Sequence, residues 1–262
     1  MNKTEEPRTA KKLLEAFFGK SVMVPAAFPK PDKVYELKDI IEDLIQIPDP
    51  VWGRYAFSRD PLRSKFSEER KDELAVQAAS CGREAAEEII CQYGKQKASQ
   101  LAKMLRLKVD YPMQPQGESH VTFAQYTGPD QISIFRHSLQ KAEDLLKDTA
   151  INALMQNINI REVLLGHELY HYVEEKNAKT IFSRTEKVDL WTIKPFKNRS
   201  TIRSLGEIAA MGFTQTLCDL PYSPFVLDVF FIYGYTKEAA SSLYQEIIDL
   251  ARFMGYDNFK IS

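Results

Sequence analysis

Apolar residues recur at helical spacing along most of this chain. Leu37, Ile40, Ile41 and Leu44 line one side of a helix predicted within Tyr35–Ile45. Glu68 to Tyr93 is rich in good helix formers and meets a stop at Gly94, and a shorter helix follows from Lys95 to Leu105. Leu139, Ala142, Leu145 and Leu146 predict a helix from Ser138 to about Met155, ended by Asn157-Ile158-Asn159. Ile160, Val163 and Leu164 give the next helix a buried side. Asn159 is its N-cap, Glu162 completes a capping box, and Asn177 is its stop. Helices are also predicted over Thr201–Cys218, Phe225–Tyr233 and Lys237–Phe253, with Leu220–Pro224 as a break.

Elsewhere the pattern changes. His120–Tyr126 and Gln131–Phe135 read as strands joined by the turn residues Thr127-Gly128-Pro129-Asp130. Leu105–Val109 reads as a passage from helix to strand, and Val188–Ile193 as extended chain in a basic stretch. A short helix is expected around Ala10–Phe18, and a proline-bearing loop from Val24 to Pro31. Ile47 to Pro61 contains three prolines and a glycine and reads as an extended linker over the surface. The sum is a mainly helical α+β fold with a small β-sheet. Residues 1–66 form an N-terminal helical and extended segment packed on a domain spanning 67–262.

Composition narrows the class. A hydrophobic content of 44% supports a sizeable core, and a net charge of -1 gives no general attraction to nucleic acid or to an anionic membrane. The apolar stretch Pro224–Tyr235 carries Asp228 and is too short to span a bilayer. The N-terminal residues lack the apolar run of a signal peptide. Cys81, Cys91 and Cys218 fit neither a disulfide framework nor a CxxC zinc pattern, so they read as reduced thiols of a cytoplasmic protein.

The chemistry is concentrated in Arg161–Glu175, REVLLGHELYHYVEE, which contains His167-Glu168-Leu169-Tyr170-His171. On a helix, histidines four apart project from one face and can share one zinc ion, with Glu168 beside them as general base for bound water. A catalytic zinc needs a third protein ligand. A third histidine six residues after His171 is excluded, because Glu174 replaces the required glycine and Asn177 the histidine. Cys218 is a thiolate alternative. Glu174 shares the helix but would put three ligands in a row, which surrounds an ion poorly. Glu207 lies on a later helix, among Gly206, Ala209, Ala210 and Gly212, whose size permits close approach to the motif helix. Its bland reading is a capping box, Ser204-x-x-Glu207, serving its own helix.

The segment Leu205-Gly-Glu207-Ile-Ala-Ala210-Met-Gly-Phe213, continued by Leu217 and Pro221, resembles the E-x-x-A-N-x-F-A-x-x-L-x-x-P stretch of the ImmA/IrrE-type zinc metallopeptidases. These are gluzincins, zincin-like proteases with an HExxH helix and a glutamate as third ligand. Ala98–Val109 resembles the family's helix ending in an L-G-I-K-V-like turn, and the strands within Phe123–Phe135 fall where its sheet is expected. The resemblance spans about residues 70–225. Met211 stands in place of the family's Asn, Arg106 of its Gly and Thr214 of its Ala, and Ser138–Asn157 is a long insertion. The flanks show no helix-turn-helix signature.

The resemblance implies zinc-dependent hydrolysis of a peptide or protein substrate. His167, His171 and Glu207 are the expected metal ligands, and Glu168 the expected general base. His137, Tyr172, Tyr233 and Tyr235 are candidates to stabilise the oxyanion. Either predicted strand can hold an extended peptide by main-chain pairing. The basic stretch from Lys176 to Arg203 is a solvated loop or a lip for acidic substrate segments. The alternative function is a zinc-binding regulatory or interaction module without turnover.

Overall fold

The structure, a computed structural model, describes residues 22–23, 31, 33–113, 120–193 and 196–257. The helix expected around Ala10–Phe18 and most of the loop from Val24 to Pro31 lie outside them. The described chain is mainly helical with small sheets. Strand β1 (Val22–Met23) pairs with β3 (His120–Val121). Helix α1 (Leu37–Leu44) follows and buries Leu37, Ile40, Ile41 and Leu44, as their spacing predicts.

The expected surface linker at Ile47–Pro61 is instead mostly helix α2 (Asp49–Ser58), and it is part of the core. Its prolines oppose a helix only in the interior. Pro48 is the N-cap and Pro50 falls in the first turn, where no N–H partner is needed. Val51, Trp52, Tyr55 and Phe57 are buried, and the Trp52 ring stacks on Phe225 at 5.7 Å.

Helix α3 (Glu68–Tyr93) starts where the Ser67 hydroxyl accepts the Arg70 N–H and ends at Gly94, φ 76°. After α4 (Ala98–Met104), Arg106 adopts φ 59°, the left-handed conformation that a glycine would adopt without a Cβ penalty. Strand β2 (Lys108–Asp110) then runs parallel to β5 (Gln131–Ile134), and β4 (Ala124–Thr127) pairs with β5 antiparallel on its other side. The order β2-β5-β4 leaves β4 at the edge.

The helix predicted over Ser138–Met155 is two, α5 (Arg136–Leu145) and α6 (Thr149–Leu154). The break comes at Asp148, whose carboxylate accepts the N–H groups of Ala150 and Ile151 at 2.8 and 3.2 Å and so starts a new helix. The motif helix α7 (Ile160–Lys176) is capped by Asn159, which accepts the Glu162 N–H at 3.2 Å. Glu162 does not close a capping box with Asn159. Its carboxylate accepts the Ser99 N–H at 2.9 Å and caps α4 instead. The basic stretch becomes a short helix α8 (Phe182–Thr185) and a hairpin of β6 (Lys187–Ile193) and β7 (Phe196–Thr201).

Helix α9 (Arg203–Cys218) crosses both α3 and α7. A Cβ on Gly82 of α3 would stand 1.8 Å from the Ala209 carbonyl oxygen, and one on Gly212 would stand 2.6 Å from that of Ala79. The small residues of α9 therefore serve mainly its crossing with α3. Toward α7 the close approach is at Gly206, whose Cβ would meet a Glu174 oxygen at 3.0 Å. The N-cap of α9 is Ile202, so the proposed Ser204–Glu207 capping box is not formed. Asp60, from the N-terminal segment, accepts the Ser204 N–H at 2.9 Å in its place.

Helices α10 (Val226–Tyr233) and α11 (Lys237–Phe253) close the fold, and α1 and α2 share one continuous core with them. No helix among the described residues is long and apolar enough to cross a membrane.

Asp228 on α10 is an unusual part of that core. Its Oδ2 accepts the Tyr55 hydroxyl at 2.7 Å, while its buried Oδ1 has no hydrogen-bond partner among the described residues. Burial pushes its carboxyl up to about 7, against the opposing pull of Tyr55 and Arg59 and with help from the Glu207 charge. A carboxyl raised above its unfolded value costs nothing below pH ~3.9, and its penalty grows to full size above the folded value. Asp228→Asn removes the ionisation penalty but buries an amide N–H₂, which costs about 1–3 kcal/mol. The variant is therefore expected to gain stability over the parent between pH 5 and pH 8, by about 1–3 kcal/mol. Urea melts at the two pH values measure this, and an equal stability difference at both would refute it.

Candidate metal centre

Helix α7 lies between β4 on one flank and α9 on the other, so both can place groups beside its motif residues. His167 is fully buried and His171 partly so, and their Nε2 atoms face each other at 3.1 Å. Glu207, one turn into α9, brings its Oε2 to 3.4 Å from His167 Nε2. One donor atom from each of the three residues lies within 4.8 Å of the others. Zinc bonds of 2.0–2.1 Å in a tetrahedron set donors about 3.4 Å apart. The measured separations fit that spacing, and two imidazoles with one carboxylate are a donor set that zinc accepts.

The protonation states differ between the two rings. Burial holds His167 well below the ordinary imidazole range, and the neighbouring His171 adds to this. Burial also depresses His171, but the Glu174 carboxylate beside its Nδ1 and the charges of Glu207 and Glu168 outweigh it and raise it to about 9. Of the two facing rings, His171 is therefore the one that holds a proton more readily.

The competing third ligands fall away on geometry. Glu174 Oε2 stands 3.6 Å from His171 Nδ1, the ring nitrogen other than the one facing His167. Cys218 Sγ lies 3.7 Å from the Glu162 carbonyl oxygen, and burial pushes its thiol up to about 12, which keeps it protonated. Neither belongs to the three-residue cluster.

Glu168 is fully buried beside the histidines. Its Oε2 accepts the main-chain N–H of Tyr126 at 2.6 Å, and its Oε1 has no hydrogen-bond partner among the described residues. Burial pushes its carboxyl up, while the two histidines and the Tyr126 N–H oppose this. An orphaned, buried carboxylate oxygen next to three metal donors is poised for a proton or a water. The residues of the site fit a zinc ion on these grounds.

The open edge of β4 is built for the same place. The Phe123 carbonyl accepts the Phe135 N–H from the β5 side. Alternation along the strand then turns the main-chain groups of Ala124 and Tyr126 outward, and the Tyr126 N–H meets Glu168 there. Since β5 is central, only the first of the two predicted strands can receive a peptide at its edge.

The oxyanion candidates separate. Tyr233 directs its hydroxyl at Glu36 at 3.5 Å, and Tyr235 directs its own at Ser138 at 3.1 Å, with exposed His137 beside its ring. Tyr172, next to His171, packs edge-on against Tyr126 at 6.1 Å and so borders the site. Met211 is buried and apolar. The Tyr126 N–H was not legible in sequence, because a main-chain group leaves no residue-type signal. Ser183 Oγ donates to Glu174 and Arg184 pairs with it, contacts the sequence does not disclose because both residues sit in the unpatterned basic stretch. No family model matches this chain, and neither a curated protein nor a solved structure shows significant similarity to it.

Proposed function

We propose that this chain is a zinc-dependent metallopeptidase of the gluzincin type, with a zincin-like fold related to the ImmA/IrrE-type enzymes. The observation that supports it most is the convergence of His167 Nε2, His171 Nε2 and Glu207 from two helices onto one point beside buried Glu168. His167, His171 and Glu207 hold the zinc. When bound, that ion supplies Lewis acidity and a water acidic enough to ionise near neutral pH.

The chain's own residues do the rest. The Tyr126 N–H fixes Glu168 by one carboxylate oxygen and leaves the other to take a proton from the attacking water. The same carboxyl, once protonated, returns that proton to the leaving amine. Its raised pKa suits both halves of this exchange, since a stronger acid would hold the proton too weakly. The outward carbonyl and N–H of Ala124 and the carbonyl of Tyr126 pair with an extended substrate along the β4 edge.

The test is a digest of a mixed peptide library by zinc-loaded protein at neutral pH. Sustained cleavage that stops on adding a chelator is expected. Zinc uptake with every peptide left intact would leave a metal-binding module without turnover, and absence of uptake would defeat both readings.

A further inference from the structure

We propose that Glu174 is a positioning residue for the metal centre, one that fixes the tautomer and orientation of His171 from the side facing away from the ion. This inference rests on the metal reading above. Glu174 follows His171 by three residues on α7, so both side chains leave the same face. Its Oε2 stands 3.6 Å from His171 Nδ1, while His171 Nε2 faces His167. A proton on Nδ1 directed at this carboxylate leaves Nε2 with the free lone pair that a metal requires.

The carboxylate is held in place with more care than a surface pair would be. Ser183 Oγ donates to its Oε1 at 2.7 Å, and Arg184 Nε lies 3.0 Å from its Oε2. Both come from α8, outside the motif helix. The Ser183 hydroxyl is itself 2.8 Å from that of Tyr170, which is buried in the core. Glycine at 206 lets α9 pass directly over the carboxylate, where a Cβ would stand 3.0 Å from Oε1. Glu174 is only 4% exposed, and a buried carboxylate is costly unless its oxygens are occupied. Ser183 satisfies Oε1, and Arg184 shares Oε2 with the His171 ring.

The carboxylate also offsets charge. It places a negative group behind an imidazole that must donate electron density to a cation, which raises the ligand's basicity. Glu174→Ala removes both effects. Glu174→Gln keeps an oxygen that can accept from Nδ1 but loses the charge and presents an N–H₂ group toward Ser183 or Arg184.

The experiment titrates metal-free protein with Co²⁺, read by its visible absorption, in the parent, Glu174→Ala and Glu174→Gln. Co²⁺ affinity is expected to fall about 10- to 100-fold in the alanine variant and by a smaller factor in the glutamine variant. The melting temperature of each metal-free protein is measured in parallel. A Glu174 that merely anchors α8 would lower that temperature in the variants and leave Co²⁺ affinity at the parent's value, which would overturn the inference. Should Glu174→Ala fail to fold, Glu174→Gln decides, because an unchanged affinity in it overturns the inference equally. A parent that takes up no Co²⁺ overturns the metal reading and this inference together, whereas a parent that binds it as well as the variants do overturns this inference alone.

Discussion

His167→Ala is expected to abolish zinc uptake, and with it all zinc-dependent thermal stabilisation. A ligand held at 100 times its Kd stabilises the folded state by about 2.7 kcal/mol. For a chain of this size that corresponds to roughly 5–10 °C in melting temperature. The parent should show such a shift between chelator-treated and zinc-loaded samples, and the variant none. Comparing the two conditions within each protein cancels the cavity that the lost imidazole leaves at a fully buried site. A zinc-dependent shift that survives in His167→Ala would remove His167 from the ligand set.

The same titration carries a pH signature. In the metal-free protein His171 is raised to about 9, so it keeps a proton through neutral pH. The sign follows from linkage. An imidazole raised above its unfolded value of about 6.5 contributes stability that is full below that value and lost as pH rises through the folded one. Zinc must displace that proton. Its affinity should therefore climb about tenfold per pH unit up to about pH 9, with roughly one proton released per ion bound at pH 7. Burial keeps His167 neutral already, so it adds no second proton. Zinc binding that is flat over this interval would mean that His171 does not hold that proton.

What the sequence disclosed depended on the kind of signal. The motif helix was readable to its caps, because Asn159 and Asn177 act locally and three- and four-residue spacing is a helical property. Glu207 was readable as a ligand candidate only by elimination and resemblance. Its nearness to His167 is set by two helix crossings, and those depend on where Gly82, Gly206 and Gly212 meet carbonyls and side chains far away in sequence. The stripe of small residues pointed to a close crossing but not to its partner, which is chiefly α3. The prolines of Ile47–Pro61 misled, since Pro48 and Pro50 mark a helix start as readily as a linker. The linker reading hides that this segment supports the helices behind the site, through Asp60 on the first turn of α9 and through Tyr55 on Asp228 of α10.

Glu168→Gln carries the second large effect. It should bind zinc like the parent and lose hydrolysis by about 10²- to 10⁴-fold, the usual contribution of a positioned general base. The substitution preserves shape. The amide oxygen can still accept the Tyr126 N–H, which places the N–H₂ group where the orphaned Oε1 stood. That group cannot accept a proton, so the loss falls on the chemical step and not on the ligands. Stability has its own pH dependence. A carboxyl whose folded pKa is raised costs stability once pH exceeds its unfolded value of about 4.3, and the neutral amide does not incur that cost. The buried amide N–H₂ costs about 1–3 kcal/mol at every pH, so the variant's melting temperature relative to the parent's should rise from pH 4 to pH 8 while it hardly turns over. Zinc stoichiometry, melting temperature and initial cleavage rate, measured on one preparation, separate the two effects. Cleavage at the parent's rate with zinc in place would remove Glu168 from the proton-transfer step. Parent-like zinc content beside a collapsed rate is the combination that only a proton acceptor at this position produces, because loss of a ligand or of the fold would lower the zinc reading as well.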